Sequence, residues 1–175
     1  MKMHALIVAG LLAATPVLAQ SVGEKTGVNS LVGASPSTAD FVTQAAISDM
    51  FEIQSSQLAA ERGDEATKKF AQQMIADHQK TSSEMKAMVQ GGKVQATIPA
   101  ALDSTHQSKL DKLKGLKGND FNKQYHSDQV TAHKNAVDLF QRYAKGGDNA
   151  DLKAWAGKTQ PALEQHLQMA QKLDK

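Results

Sequence analysis

The chain has no cysteine, so neither a disulfide, a lipid anchor on an N-terminal Cys, nor a Cys nucleophile is open to it. Aromatic residues are scarce, with five Phe, two Tyr and one Trp among 175 residues, and β-branched types are sparse beside Ala, Gln, Lys, Leu and Asp. This composition argues against an all-β sandwich or barrel, since pleated surfaces favour β-branched and aromatic side chains. An excess of one charge is also missing: 20 basic against 18 acidic residues give a net charge of +2. Such a balance carries no electrostatic footprint for nucleic acid. Long apolar runs are lacking too, because the run Ala5 to Ala14 falls well short of the ~20 residues that cross a bilayer. The length suits one domain.

The first residues read Met1-Lys2-Met3-His4, then that apolar run, then Thr15-Pro16-Val17-Leu18-Ala19. A basic start, a short apolar stretch and small residues before a polar one predict a secretory signal peptide over residues 1–19, and hence a periplasmic protein. Removal of the signal leaves no integral membrane segment. Residues 20–36, with Gly23, Gly27, Ser30, Gly33, Ser35 and Pro36, have the composition of a flexible linker. The remainder, 37–175, is expected to fold.

Its pattern is helical. Ser37-Thr38-Ala39-Asp40 forms a capping-box signal, followed by Phe41, Ala45, Ser48, Glu52, Ser55 and Ala59 at spacings of 4,3,4,3,4. Gly63-Asp64 ends that helix and caps the next, whose seam is Thr67, Ala71, Met74, His78, Thr81, Met85 and Met88. Gly91-Gly92 closes it. Residues 91–119 form a long connection with a short helix near Ser104 to Lys114, long enough to run the length of a bundle. Asn119-Asp120 opens a third helix with Phe121, Tyr125, Val130, His133, Ala136, Phe140 and Tyr143. The fourth carries Leu152, Ala156, Thr159, Leu163, His166, Ala170 and Leu173, interrupted by Pro161, which is expected to kink or break it. Two helical hairpins joined by a crossover predict an all-α, ferritin-like four-helix bundle.

Each seam holds one metal-ligand type: Glu52, His78, His133 and His166. Ionised carboxylates are rarely buried without a partner, and imidazoles with a carboxylate suit Zn, Cu, Fe or Ni. The four are therefore candidate ligands of an internal transition-metal site. Counting from the hairpin turn places Glu52 about four residues nearer than His78, an offset of roughly 6 Å along a helix. Asp77, Asp128 and Gln129 are candidate partners to orient an imidazole, with a solvated face the simpler reading of Asp77. His126 sits one position off the stripe and is expected to face solvent; His106 lies in the crossover. Met74 and Met169 stand within a turn of His78 and His166, so thioether–imidazole copper ligation is open beside plain core packing.

Several chemistries are absent. A dinuclear carboxylate centre wants Glu-x-x-His on two helices, but the residues three before His78, His133 and His166 are Ile75, Val130 and Leu163. No His-Glu-x-x-His, Gly-x-Ser-x-Gly or phosphate-binding glycine loop occurs. The lysines at 109, 112, 114 and 117 read as a solvated face.

Asp40-Phe41 with Glu52, Phe70-Ala71 through Met74 to Asp77-His78, Phe121 with Tyr125 and His133, and Pro161-x-Leu163-x-x-His166 together resemble the exported bacterial family termed domain of unknown function 4142. The resemblance covers roughly residues 38–173. It implies a ferritin-like fold and export to the periplasm or outer membrane, and points again to Glu52, His78, His133 and His166. It implies no activity. Three readings follow. The first is a bundle that binds a transition metal (Zn, Cu or Fe) for sequestration, delivery or sensing. The second is a structural or stress-related envelope protein whose Glu and His form a buried hydrogen-bond network without metal. The third is an enzyme with a mononuclear metal, for which no motif names a reaction.

Overall fold

The computed structural model of the protein describes residues 21–25 and 27–175; the expected signal peptide, residues 1–19, lies outside them. The described residues form helices and no strand. Two single-turn helices, α1 (Val22–Lys25) and α2 (Val28–Leu31), precede α3 (Thr38–Arg62) and α4 (Glu65–Gln90). The short α5 (Ser104–Gly115) lies in the crossover, and α6 (Gly118–Gly146) and α7 (Ala150–Leu173) complete the chain.

The helix starts follow the capping chemistry of the sequence. Ser37 accepts from the Asp40 amide, Asp64 from Thr67, Asp103 from His106 and Asn149 from Leu152, each satisfying an orphan first-turn donor. The α3–α4 turn is tight because Gly63 has no side chain: a Cβ there would stand 2.7 Å from both the Ala59 carbonyl oxygen and Thr67 Cγ2. Helix α7 runs unbroken through Pro161 rather than stopping there.

The four long helices pack as two hairpins, α3 on α4 and α6 on α7, with α3 also touching α6 and α4 touching α7. Neighbours are antiparallel. Thr38, at the start of α3, bonds Tyr143 at the end of α6, while Ser56 near the end of α3 bonds Tyr125 near the start of α6. Likewise Glu84, late in α4, accepts from Trp155, early in α7. The crossover must then travel the whole length of the helices. It does so, with the Lys93 carbonyl accepting from Asn149 at one end and the Lys114 carbonyl accepting from Arg62 at the other. These are the contacts that two hairpins joined by one crossover require.

The apolar core is split in two. One cluster holds Phe41, Val42, Ala45, Met85, Phe140, Tyr143 and Leu152 among others, with Phe41 stacked 4.2 Å from Tyr143. The other holds Ala59, Phe70, Met74, Leu113, Phe121, Tyr125 and Ala170. Met74 and Met85 lie in these clusters as packing residues. Between the halves, at mid-height of all four long helices, lies a buried polar layer.

The segment expected to be a flexible linker differs from that expectation. Over its described part it is tied to the body by the buried Glu24, which pairs with Arg142 at 2.9 Å. Arg142 also donates to the Ala34 carbonyl, Ser21 donates its amide to Asp40, and Ser30 donates to Asp138. A guanidinium fork matched to a carboxylate at low exposure is a strong, directional contact, and it offsets the conformational entropy of ordering these residues.

Candidate metal centre

The polar layer is built from one stretch of each long helix. Helix α3 supplies Asp49, Glu52, Ser55 and Ser56, α4 supplies His78, α6 supplies Gln129 and His133, and α7 supplies His166, all buried. The 3,4 periodicity that keeps Phe41, Met74, Phe140 and Leu163 inward carries these polar side chains inward too. Helix and bundle packing therefore fix the positions of the site residues more tightly than a loop could.

Three rings meet there. The centroids of His78 and His133 are 5.6 Å apart, those of His78 and His166 5.6 Å, and those of His133 and His166 5.3 Å. One ligating nitrogen from each of the three lies within 4.8 Å of the other two. Nitrogens on a shared tetrahedral ion at 2.0–2.1 Å stand roughly 3.3 Å apart, so small ring rotations bring the trio to ligand distance.

Each ring is held by an acceptor on one nitrogen. His78 Nδ1 donates to Asp49 Oδ1 at 2.7 Å, His133 Nδ1 to the Gln129 carbonyl at 2.9 Å, and His166 Nε2 to Asp77 Oδ2 at 3.0 Å. A carboxylate or carbonyl cannot donate, so each contact places a proton on that nitrogen, and in the neutral ring the other nitrogen keeps its lone pair. Those other atoms, His78 Nε2, His133 Nε2 and His166 Nδ1, are buried without a hydrogen-bond partner. This is the arrangement that orients histidines around a metal: one nitrogen anchored to an outer partner, the other free to ligate. Asp49 is anchored in turn, accepting from Thr81 and Ser82 on α4.

Glu52 is adjacent to the trio without joining it. Its Oε1 stands 3.9 Å from His133 Nδ1, the nitrogen already turned to the Gln129 carbonyl, and both its oxygens lack a hydrogen-bond partner. The structure thus brings together three of the four expected ligands and places the fourth beside them.

The electrostatics follow from burial. Burial, with the charge of His78 adding to it, pushes His133 down to about 3, so that ring is neutral across the physiological range. Burial and His78 also lower His166, against the pull of Asp77. His78 is the exception: burial works downward, but the hydrogen bond and charge of Asp49, with Glu52 and Asp77, outweigh it and raise the ring. Burial pushes the Glu52 carboxyl up to about 7, with the charge of His78 pulling back. A proton shared among these groups therefore concentrates on His78 and Glu52. A cation in the layer would favour the ionised carboxylate and replace the proton on His78.

Asp49 is the residue that sequence reasoning missed. The seam placed Ser48 inward, whereas Asp49 is buried and Ser48 only partly so. A register count could have found it, since Asp49 precedes Gly63 by 14 residues and His78 follows Asp64 by 14. Residues equidistant from a tight antiparallel turn stand level, which also explains why Glu52 falls below His78. Asp77 keeps a 44% exposed side chain yet orients His166, so the solvated-face reading was incomplete. Asp128 accepts from Gln124 rather than from an imidazole, whereas Gln129 serves through its backbone carbonyl. His126 does not face solvent as expected: it is 8% exposed and bonds Thr67 Oγ1 at 2.7 Å, because α6 turns that side toward the start of α4. His106 bonds Asp103, and its ring centroid stands 5.4 Å from that of Phe51, apart from the cluster.

Fold and site together define an all-helical protein with a buried histidine–carboxylate cluster that could hold a metal ion. No helix among the described residues is long and apolar enough to cross a membrane. The chain belongs to the family described as a domain of unknown function, DUF4142, whose pattern matches residues 24–173. Neither a curated protein nor a solved structure matches the chain. The family match begins at Glu24, the residue that pairs with Arg142.

Proposed function

We propose that this protein binds a transition-metal ion through His78, His133 and His166, with Glu52 as the neighbouring negative charge, for sequestration, delivery or sensing. The observation that carries the reading is the set of three buried, unpartnered ring nitrogens, each on a ring whose other nitrogen is anchored by an acceptor. A hydrogen-bond network sufficient to itself would satisfy those atoms, because an orphaned buried polar group costs about 1–3 kcal/mol. Six such side-chain atoms cluster here, including both oxygens of Glu52. Imidazole nitrogens beside a carboxylate suit Zn, Cu or Fe. The signal-like pattern of residues 1–19 supports export to the periplasm, and intact-mass analysis of a periplasmic fraction should find a chain starting at or near Gln20. Retention of Met1 on cytoplasmic protein would overturn that localisation. The metal reading is tested by elemental analysis of protein purified without a His tag: stoichiometric metal, lost in His78→Ala, is expected. A folded wild-type protein that takes up no Zn, Cu or Fe contradicts it.

A further inference from the structure

The polar layer is covered on several sides and reached by a groove on another. The two apolar clusters close it above and below. On the α3–α6 side stand Glu52, Ser55, Ser56 and Gln129, none more than 1% exposed, and α5 lies across that face with contacts to both α3 and α6. The α3–α4 seam is stitched by Thr81 and Ser82 bonding Asp49. Between α4 and α7, however, a groove of about 290 Å³ runs from solvent down to His78 and His166. Its walls include Asp77, Thr81 and Glu84 from α4, with Lys158 and Ala162 from α7.

The geometry points to this α4–α7 groove as the route by which a metal ion enters and leaves the three-histidine cluster, with Asp77 as the carboxylate at its mouth; the inference rests on the metal reading above. Asp77 is the one orienting partner of the three that reaches solvent. Its side chain is 44% exposed, whereas that of the His166 it holds is 4% exposed. Asp49 is buried, and the Gln129 carbonyl is internal to α6, so neither can meet an arriving cation first. An exposed carboxylate hydrogen-bonded to a ligand ring can attract a cation and release that ring toward it in one local movement. Lys80 and Lys158 in the lining offset Asp77 and Glu84, so the groove as a whole carries no excess negative charge and the attraction is local to Asp77, the carboxylate bonded to a ligand ring.

The test is the kinetics of Co²⁺ exchange, read from the visible absorption of the bound ion in stopped flow, with release into excess chelator. Ala162 is exposed on the groove wall, and Ala162→Phe should narrow the mouth while removing no candidate ligand and no core side chain. Uptake and release should both slow tenfold or more while Kd stays unchanged, since a blocked path alters the barrier and not the end states. Lys134→Phe, on the exposed α6–α7 side, should leave both rates at their wild-type values. Asp77→Asn keeps an acceptor oxygen for His166 but loses the charge; uptake should slow several-fold at low salt and converge with wild type at high salt. If Co²⁺ binds with normal affinity and both groove variants exchange at wild-type rates, the route is wrong and the site stands. If the wild-type protein takes up no Co²⁺, site and route fall together.

Discussion

Asp49 and His78 stand level across the α3–α4 hairpin, with Asp49 Oδ1 2.7 Å from His78 Nδ1, both residues buried. The pair fixes the His78 tautomer and aims its other nitrogen at His133 and His166. It also raises the affinity of that ring for a proton against the effect of burial. Orientation and competition with protons thus come from a single contact.

Removing the anchor should weaken the site without removing a ligand. Asp49→Ala is expected to lower metal affinity about 10–100-fold, as loss of outer-shell partners does. Asp151→Ala, at an exposed position in the first turn of α7, should leave the affinity unchanged. Competitive titration against a chelator reads both. Equal losses would remove the special role given to Asp49.

Glu52 gives a prediction with a definite sign. Its carboxyl is raised from 4.5 to about 7, so in metal-free protein it contributes fully below pH 4.5 and loses that contribution as pH rises through about 7. Glu52→Gln keeps the shape and cannot ionise. It should therefore stabilise the metal-free protein at pH 8 by on the order of 3 kcal/mol and change little at pH 4. Urea unfolding at both pH values in chelator measures this. A variant destabilised at pH 8 would show that the carboxylate is satisfied in the folded protein.

His133 works in the opposite direction. Its folded value is depressed from 6.5 to about 3, so its contribution is complete above 6.5 and declines steadily as pH falls toward 3. Burial lowers His126 and His166 as well, adding to the acid sensitivity. Relative to wild type, His133→Gln should therefore gain stability in the metal-free protein as pH falls from 6.5 toward 3, since it removes the His133 loss while leaving the opposing gain from Glu52 in place. A difference from wild type that does not change with pH would contradict the buried neutral ring.

The ion pair between Glu24 and Arg142 predicts a protected N-terminal segment. Arg142→Met should release residues 21–36 to limited proteolysis while the four long helices remain, and Lys134→Met should not. By contrast, Phe41→Ala empties the centre of the first apolar cluster, where Phe140 and Tyr143 pack on the ring, and should cost about 3–5 kcal/mol of global stability.

The first two long helices were legible in the sequence because their punctuation is local: Ser37 and Asp64 cap within three residues, and Gly63 marks the tight turn. The inward histidines were legible because a 3,4 seam names its own members. What escaped depends on contacts between segments. Asp49 was hidden because a strict seam chose Ser48, and only the level partner His78 favours the neighbouring position. His126 was read as exposed since its partner Thr67 lies 59 residues away. The order of residues 21–25 rests on Arg142, 118 residues from Glu24, and nothing in the local Gly/Ser-rich composition reveals it.

Thermal unfolding with and without Zn, Cu or Ni tests the central claim most directly. An ion held by His78, His133 and His166 should raise stability by about 2.7 kcal/mol at a hundredfold excess over Kd. Alanine at any of the three should abolish that increment, and His126→Ala should retain it on a lower baseline. The contrary result is a melting temperature indifferent to all three metals and to chelator, with each histidine substitution destabilising the protein equally in both. That outcome would leave the helical fold intact and remove the metal site from it.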